Sequence, residues 1–290
     1  MKLLTASVTP FLPNYAIDFL SFEKLLRPQE KEGNGVILLG STGENLSLTV
    51  KEKETIVSFA CSLSLKVPII IGVSGTSLHE ASEWIRICQS YPIDGFLITS
   101  PIYAKPGIHG QTLWFESLLN VTNKPAILYN IPSRAGTILY SETVRALSEH
   151  PFLYGVKDSG GSIDRCREYA HISPNLVLYC GDDGLWPHMQ QCGAQGLISV
   201  LSNGWPRESH NYVEDPLNKN NSVIWHELSY WLSQTTNPIA IKALLAYKQD
   251  IAHSVLRLPL SIKDLQNAES LPIFVRKMSQ WSQTYEYAHT

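Results

Sequence analysis

The 290-residue sequence contains none of the closely spaced cysteine or histidine pairs that bind structural metal ions. Its five cysteines are odd in number and widely separated, which argues against a disulfide framework. Its nine histidines stand singly along the chain. We therefore predict neither a metal site nor a disulfide-stabilised fold.

Runs of basic residues and long apolar runs are also missing. The formal net charge is -3 and the charges are scattered, so no segment suits a phosphate backbone or an anionic membrane surface. The N-terminal apolar stretch reaches Pro10 before it attains signal-peptide length, and no later segment approaches a membrane span. We expect a cytoplasmic protein that binds neither nucleic acid nor membrane.

Eight short apolar runs recur along the chain, and a mixed segment of helix length follows each one. The runs are LLTASVT, GVILLG, VPIIIGVSG, DGFLITSP, PAILYNIP, YGVKDSG, LVLYCGDD and GLISVLSN. Continuous hydrophobicity predicts strands buried on both faces, as in a parallel sheet, and eight strand–helix units predict a closed (β/α)8 TIM barrel. Candidate helix starts lie at Ser21, Thr49, Ser77 and Ser141.

The strand pattern stops after about Asn203, where a polar segment with two prolines begins. Beyond it, VIWHELSYWLSQ, PIAIKALLAYKQDIAHSVL and ESLPIFVRKMSQWSQTYEYA show helical periodicity. We place the end of the barrel near Leu217. The predicted organisation is a catalytic barrel over residues 1–217 and a C-terminal helical domain over residues 218–290.

A single lysine interrupts the sixth apolar run. Lys157 lies in YGVKDSG, at a strand end, where a (β/α)8 barrel carries its catalytic groups. Burial disfavours the charged ammonium, so a lysine there can act as an amine nucleophile that forms an imine with a ketone. The alternative is a lysine that protects an edge strand, although a closed barrel has no edge.

The second strand ends in a turn rich in glycine and hydroxyl groups, Gly40-Ser41-Thr42-Gly43-Glu44. Hydroxyls and unpaired N–H groups in such a turn can hold a carboxylate. The same pattern also occurs in a tight turn before a helix. It is not a phosphate-binding loop, because the Gly-Lys-Ser/Thr ending is missing.

The fifth strand ends in a tyrosine and is followed by an arginine. Tyr129 can shuttle protons, and Arg134 can hold a carboxylate through its planar guanidinium. Taken singly, the two residues fit a core aromatic and a solvated cation better than a function. Together with Lys157 and the Ser41-Thr42 turn, they form a set suited to a keto acid and a second acid.

Other positions near the predicted barrel mouth carry weaker signals. Tyr103 follows the fourth strand and Ile198 lies in the eighth, and each alone is interpreted as a packing residue. The Gly181-Asp182-Asp183 turn could supply a catalytic carboxylate. Aspartate in such a loop commonly caps a helix, and we prefer that interpretation.

The order and spacing of these motifs resemble the family of lysine-dependent aldolases and synthases that includes dihydrodipicolinate synthase and N-acetylneuraminate lyase. The likeness covers nearly the whole chain, through SVTPF, GSTGE, SPIYAKPG, YNIPSRAG, GVKDSG, GDD, GLISV, NPIAIKALL and RLPL. It implies that Lys157 forms a Schiff base with pyruvate while Ser41 and Thr42 hold the pyruvate carboxylate. Tyr129 would be the proton donor and acceptor. No metal or organic cofactor is implied, because the covalent imine on Lys157 is itself the electron sink.

The resemblance also assigns the remaining candidates. Tyr103 would reach across a tight dimer interface into the neighbouring site and complete a hydroxyl relay with Thr42 and Tyr129. The backbone at Ile198 would line the pyruvate pocket, and Arg134 would bind the carboxylate of the second substrate. The implied homo-oligomer is a tight dimer, assembled further into a tetramer as a dimer of dimers.

The implied reaction condenses pyruvate with L-aspartate 4-semialdehyde to give 4-hydroxy-tetrahydrodipicolinate, on the diaminopimelate route to lysine. The alternative is a pyruvate lyase that cleaves a sialic acid or a keto-deoxy sugar acid. Ser41-Thr42 resembles the lyase branch, whereas Arg134 and Lys157-Asp158 resemble the synthase branch. We weigh the arginine more heavily, because serine and threonine supply the same hydroxyl. A binding barrel without turnover is a third interpretation, and the joint presence of these groups argues against it.

Some members of the family are inhibited by lysine at their dimer interface. Here Lys53 and apolar side chains stand where an inhibited member would have histidines and a tyrosine. We therefore expect weak or absent inhibition by L-lysine. The corresponding positions are Asn45, Leu46, Val50, Lys53, Thr76, Glu80 and Ile102.

Overall fold

A closed barrel of parallel strands forms the centre of the protein. The structure, a computed structural model, describes residues 1–216 and 219–289. Each strand pairs in parallel with the next along the chain, and the first pairs with the eighth. This arrangement confirms the predicted (β/α)8 barrel. Its strands are β1 Leu3–Ala6, β2 Gly35–Leu38, β3 Ile69–Val73, β4 Gly95–Thr99, β5 Ala126–Asn130, β6 Leu153–Asp158, β7 Val177–Cys180 and β8 Gly196–Ser199.

Helices surround the barrel and follow its strands in sequence. Within the described residues they are α1 Phe19–Lys31, α2 Val50–Ser62, α3 Leu78–Cys88, α4 Ile108–Leu119, α5 Pro132–Ala135, α6 Ser141–Leu147, α7 Ile163–Ala170, α8 Trp186–Gln191, α9 Pro206–Glu214, α10 Lys219–Ser233, α11 Ile239–Tyr247 and α12 Leu271–His289. None of the helices in this part of the chain has the length and hydropathy needed to cross a bilayer.

Three of the four predicted helix starts are confirmed. Thr49 caps α2 and Ser77 caps α3, each accepting a hydrogen bond from a backbone N–H of the first turn. Ser141 is the first residue of α6. The prediction at Ser21 is wrong, because Asp18 caps α1 and accepts the Ser21 N–H at 3.0 Å.

Strand side chains alternate between two apolar layers, one inside the barrel and one against the helices. The register places Lys157 beside Tyr129 on β5 and Tyr179 on β7, and both tyrosines belong to the inner layer. Val156 belongs to the outer layer. Alternation along β6 therefore directs Lys157 into the barrel. The inner layer comprises Leu4, Ala6, Ile37, Ile70, Leu97, Ile127, Tyr129, Ile131, Tyr179 and Ile198.

Helices α10, α11 and α12 form the C-terminal region. The predicted boundary at Leu217 lies outside the described residues, so the division into domains 1–217 and 218–290 stays a prediction.

Helix α11 ends earlier than its hydrophobic period predicts. Gln249 has a left-handed φ of 64°, and its N–H donates to the Ala246 carbonyl at 3.1 Å. The Asp250 N–H donates to the Leu245 carbonyl at 2.9 Å. This pair of bonds is a Schellman motif, which ends a helix. The predicted helix through residue 256 was wrong. The left-handed residue that ends the helix is Gln249, and the sequence lacks the glycine that usually indicates such an end.

An ion pair joins the segment after α11 to the first turn of α2. Both terminal nitrogens of Arg257 donate to the Glu52 carboxylate, with Nη1 at 3.0 Å from Oε2. The hydrogen bonds from Arg257 lower the pKa of Glu52 to about 2. A bidentate, half-buried pair of this kind is stronger than an exposed one.

Glu52→Gln is expected to lower the free energy of unfolding by about 1–2 kcal/mol at pH 7, because the ion pair is lost while glutamine keeps the helix-capping role. The lowered pKa means that the folded protein favours the ionised carboxylate. Its contribution is therefore present above pH 4.5, the ordinary value for this group, and is lost as the pH falls toward 2. Urea unfolding of both proteins across this pH range measures the difference.

The control for this prediction is Glu83→Gln, which removes the exposed ion pair with Arg86. It should change the free energy of unfolding by less than about 0.5 kcal/mol. Equal losses in the two variants, or a loss at Glu52 that persists unchanged at pH 2, would contradict the assigned ion pair.

Candidate active site

A cavity of about 670 Å³ opens at the carboxyl ends of the strands. The segment after α10 supplies part of its wall, including Asn237. In a (β/α)8 barrel this is the end that carries the chemistry. Five of the predicted site residues line the cavity, namely Ser41, Thr42, Tyr129, Arg134 and Lys157.

Lys157 lies deep in this cavity. The residue is 5% exposed, and its Nζ lies 4.1 Å from the centre of the Tyr129 ring. Gly181, directly after β7, leaves space for the lysine, because a Cβ at that position would lie 2.7 Å from Lys157 Cε. The amine is therefore confined beside a phenol.

Tyr129 links Lys157 to the hydroxyl groups of the site. The Ser159 hydroxyl donates a hydrogen bond to the Tyr129 hydroxyl at 3.5 Å, and the Ser41 and Lys157 side chains are also hydrogen-bonding partners. Burial alone would raise the pKa of Tyr129. The positive charge of Lys157 and these hydrogen bonds outweigh burial and lower the pKa below that of an ordinary phenol. Tyr129 therefore gives up its proton more readily than an ordinary phenol, which suits it to proton transfer.

The turn that carries Ser41-Thr42 has a strained backbone on both sides. Leu39 and Glu44 have left-handed φ angles of 57° and 55°, which few residues other than glycine adopt. Such conformations persist only where surrounding contacts hold them. The position of the two hydroxyls thus depends on what the flanking residues contact.

The two hydroxyls of this turn face different partners. Ser41 is the one that interacts with Tyr129. Thr42 Oγ1 instead accepts a hydrogen bond of 2.8 Å from Asn237 Nδ2. The relay through Thr42 that the resemblance implied stays a prediction, and Ser41 also interacts with the phenol.

Arg134 stands at the rim of the cavity, in α5, and is exposed to solvent. Its Nη2 donates a hydrogen bond of 2.6 Å to the backbone carbonyl of Asn237. A guanidinium has five N–H donors, so this bond leaves capacity for a carboxylate. Asn237 therefore contacts two groups predicted to bind carboxylates, Thr42 and Arg134.

Behind the lysine, a buried polar pair joins the ends of β5 and β6. Asn130 Nδ2 donates to Asp158 Oδ1 at 2.6 Å, and Asn130 Oδ1 accepts the Leu139 N–H at 2.9 Å. Burial raises the pKa of Asp158, although the hydrogen bonds from Asn130 and Gly160 oppose the shift. The pair fixes the strand ends from which Tyr129 and Lys157 project.

The two aspartates after β7 differ in role. Asp182 accepts the Gly184 N–H at 2.9 Å and caps a short turn, as predicted. Asp183 is buried and accepts hydrogen bonds from the Ser199 hydroxyl and from the Val200 N–H, the latter at 2.9 Å. Burial raises the pKa of Asp183 to about 6. These contacts join the end of β7 to the end of β8.

The arrangement offers a buried amine, a phenol and two hydroxyls, with a guanidinium at the rim. Among residues 1–216 and 219–289, no group of three or more histidine, cysteine, aspartate or glutamate side chains is placed to hold a metal ion. An amine beside a proton-transferring phenol can form an imine with a keto acid, and the cation can hold a second acid.

The family model described as the Dihydrodipicolinate synthetase family matches residues 1–277. The chain belongs to this family. It is similar to the 4-hydroxy-tetrahydrodipicolinate synthases of Chlamydia felis, 76% identical over 100% of both chains, and Chlamydia caviae, 74% identical over 98% of this chain and 99% of that one. The solved structure of this enzyme from Methylacidiphilum fumariolicum is 29% identical, with a TM-score of 0.93 over 99% of this chain and 98% of that one. The resemblance inferred from the motifs is confirmed.

Two of the predicted site residues, Tyr103 and Ile198, lie away from the cavity wall. Tyr103 is 91% exposed on a left-handed backbone with φ 68°. Ile198 is fully buried inside the barrel, and Val200 is the residue that follows β8 in the cavity wall. The structure thus gathers five of the seven candidates and places these two elsewhere.

Sequence reasoning missed two residues of the cavity wall that hydrogen-bond to the predicted site residues, namely Ser159 and Asn237. Ser159 directly follows the Lys157-Asp158 pair, and the Gly181 carbonyl, 3.2 Å from its hydroxyl, is an alternative acceptor to the Tyr129 hydroxyl. Asn237 lies in NPIAIK, within the C-terminal region that the sequence assigned to packing. Alternation along β6 could have indicated Ser159, whereas nothing in the local pattern indicates Asn237.

Proposed function

We propose that this chain is a 4-hydroxy-tetrahydrodipicolinate synthase, a lyase of EC class 4.3.3.7. It condenses pyruvate with L-aspartate 4-semialdehyde in diaminopimelate and lysine biosynthesis, in the cytoplasm. The observation that carries the proposal is Lys157, buried with its Nζ 4.1 Å from the Tyr129 ring at the catalytic end of the barrel. The names of the full-length relatives support the same reaction.

The first step is formation of an imine. The Lys157 amine attacks the ketone carbon of pyruvate, and the resulting carbinolamine loses water. Tyr129 supplies the proton that leaves with the hydroxyl and regains one from the nitrogen. No external cofactor is needed, because the protonated imine withdraws the electrons that the next step requires.

The Ser41-Thr42 turn holds the pyruvate carboxylate. We assign the proton relay with Tyr129 to Ser41, because its hydroxyl is the one that reaches the phenol. Thr42, fixed by Asn237, supplies a hydroxyl of defined orientation for substrate binding. We assign Ile198 to the pyruvate pocket through its backbone, because Val200, two residues later, lies in the cavity wall.

In the second step the imine loses a methyl proton and becomes an enamine. Its nucleophilic carbon attacks the aldehyde of L-aspartate 4-semialdehyde, whose carboxylate Arg134 binds. The substrate's own amine then displaces Lys157 as the ring closes. The lysine is thereby returned as a free amine, and 4-hydroxy-tetrahydrodipicolinate is released.

Tyr103 completes the relay in a partner subunit. Its side chain extends into solvent from a left-handed backbone, so it is available to a second copy of the chain. We propose a tight homodimer, assembled further as a dimer of dimers. Weak or absent inhibition by L-lysine stays a prediction.

The function is tested by treating the protein and pyruvate with borohydride, followed by mass spectrometry and by turnover with L-aspartate 4-semialdehyde. We expect a pyruvate adduct on Lys157 together with turnover. The sugar-acid lyase alternative is not favoured by the names of the relatives, and an adduct without semialdehyde turnover would revive it. Absence of an adduct would overturn the proposal.

Arg134→Ala is expected to raise KM for the semialdehyde roughly 10- to 100-fold, because a charge-assisted bond to the carboxylate is lost. Imine formation with pyruvate should stay within about threefold, since Arg134 does not contact the lysine. Steady-state kinetics and borohydride trapping measure the two effects. Arg145→Ala, which removes an exposed arginine of α6, is the control for the charge change. Equal losses in both reactions would refute the role of Arg134.

A further inference from the structure

A buried ion cluster connects the C-terminal region to the Ser41-Thr42 turn. We call it the loop clamp, and it consists of Glu44, Lys242 and Arg257. One carboxylate oxygen of Glu44 pairs with the Lys242 ammonium, and the other accepts a hydrogen bond from the backbone N–H of Arg257 at 2.8 Å. The side chains of Lys242 and Glu44 are 0% and 1% exposed. Both charges are therefore removed from solvent.

Aromatic and backbone contacts complete the loop clamp. Lys242 Nζ donates to the Val255 carbonyl at 2.9 Å and lies 4.2 Å from the centre of the Phe11 ring. The Arg257 guanidinium lies 4.8 Å from the same ring centre, and Nη1 donates to the Ser47 carbonyl at 3.2 Å. The clamp thus contacts the chain directly after Glu44 as well as Glu44 itself.

The loop clamp is attached close to both ends of a hydrogen bond in the active site. Glu44 closely follows Thr42 and has the left-handed φ of 55° that only outside contacts maintain. Lys242 lies in α11, which begins directly after the segment that delivers Asn237. Asn237 Nδ2 donates to Thr42 Oγ1. The Glu44–Lys242 pair therefore holds both the segment that carries the donor, Asn237, and the turn that carries the acceptor, Thr42.

Stability alone does not account for such a cluster. Burial lowers the pKa of Lys242 to about 8, even though Glu44 opposes the shift. A buried ion pair contributes little net stability compared with apolar side chains of similar volume, but it fixes the geometry of the groups it joins.

We propose that the loop clamp is a positioning device for pyruvate. It holds the Ser41 and Thr42 hydroxyls where the keto acid's carboxylate binds, so that residues far outside the barrel strands set the affinity for pyruvate. The proposal rests on the function given above. Glu44, Lys242 and Arg257 are positioning residues, because they act through the turn and through Asn237.

The test uses Lys242→Met, Glu44→Gln and the double variant, which leaves no unpaired buried charge. We expect each single variant to raise the pyruvate concentration that half-saturates imine trapping by about 10-fold or more, since small displacements of binding groups have effects of this size. The maximum extent of trapping should stay within about threefold, and the KM for the semialdehyde should change far less than that for pyruvate.

Lys248→Met is the matched control. Lys248 caps the end of α11, donates to the Gly204 carbonyl and lies 5.1 Å from the centre of the Trp205 ring. It therefore also joins the C-terminal region to the barrel through a carbonyl and an aromatic ring, but away from the Ser41-Thr42 turn. Its replacement should leave the half-saturating pyruvate concentration unchanged.

The possible outcomes separate the loop clamp from the proposed function. A half-saturating concentration that is the same in Lys242→Met and the unaltered enzyme, or shifted equally in Lys248→Met, would overturn the clamp alone. No trapped imine in the unaltered enzyme would overturn the function and the clamp with it. If the single variants fail to fold, the double variant decides, and a normal half-saturating concentration in it counts against the proposal.

Discussion

Lys157→Ala abolishes borohydride trapping with pyruvate and lowers kcat by about 10⁴-fold or more, a loss typical of removing a covalent nucleophile. The effect is large because the imine supplies the electron sink for every later step. The cavity wall described here offers no second lysine beside Tyr129. Mass spectrometry of trapped protein and a coupled turnover assay measure the two losses.

The control for this variant is Lys105→Gln, at an exposed lysine in the loop after β4. It should keep both trapping and turnover. The fold of Lys157→Ala should persist, because alanine leaves the strand pairing of β6 intact. An adduct that remains on Lys157→Ala would show that another lysine carries the reaction.

Tyr129→Phe slows imine formation by about 10²- to 10⁴-fold, the range expected for loss of a positioned proton donor and acceptor. The ring that packs against Lys157 is retained, so binding space changes little. The pKa of Tyr129 lies below that of an ordinary phenol, so Tyr129 loses its proton at a lower pH than an ordinary tyrosine. The activity of the unaltered enzyme should therefore begin to fall at that lower alkaline pH. The variant should lack this alkaline limb.

Tyr179→Phe is the matched control for the loss of a buried phenol. Tyr179 also neighbours Lys157 in the register, but its hydroxyl donates to the Met1 carbonyl at 3.2 Å, toward the other end of the barrel. Its replacement should leave the rate of imine formation within about threefold. Equal slowing in both variants would mean that Tyr129 contributes packing rather than proton transfer.

The barrel could be predicted from sequence because every strand carries its own signal. Each is a short apolar run buried on both faces, and a helical segment separates it from the next. Lys157 and Tyr129 were found by the same logic, since a polar group in such a run is buried inside the barrel and needs a polar partner or a ligand there. Local patterns sufficed for both.

The rest of the site depends on contacts between distant parts of the chain. Asn237 meets Thr42, and Lys242 meets Glu44, across nearly the whole barrel sequence. No short-range sequence pattern predicts contacts between residues this far apart in the chain. Lys242, the only lysine in the apolar run PIAIKALL, was nevertheless a signal of the same kind as Lys157. The sequence analysis interpreted it only as part of a packing helix.

The turn geometry explains the smaller errors. Helix α11 ends at a glutamine in the left-handed region, where glycine is the usual marker. The choice between Ser41 and Thr42 depends on a backbone conformation that Leu39 and Glu44 share. The sequence identifies two adjacent hydroxyls. Their directions depend on the φ angles of the flanking residues, which the residue types do not predict.

The loop clamp also has a consequence for how the enzyme is made. A ribosome releases the chain from its N-terminus, so all eight strands and Lys157 emerge before Lys242 and Arg257. Until those two arrive, Glu44 has no partner and the pyruvate turn is not held. A message cut short after the eighth strand would therefore encode Lys157 without the residues that hold the pyruvate turn, and we expect such a chain to bind pyruvate more weakly than the full-length enzyme.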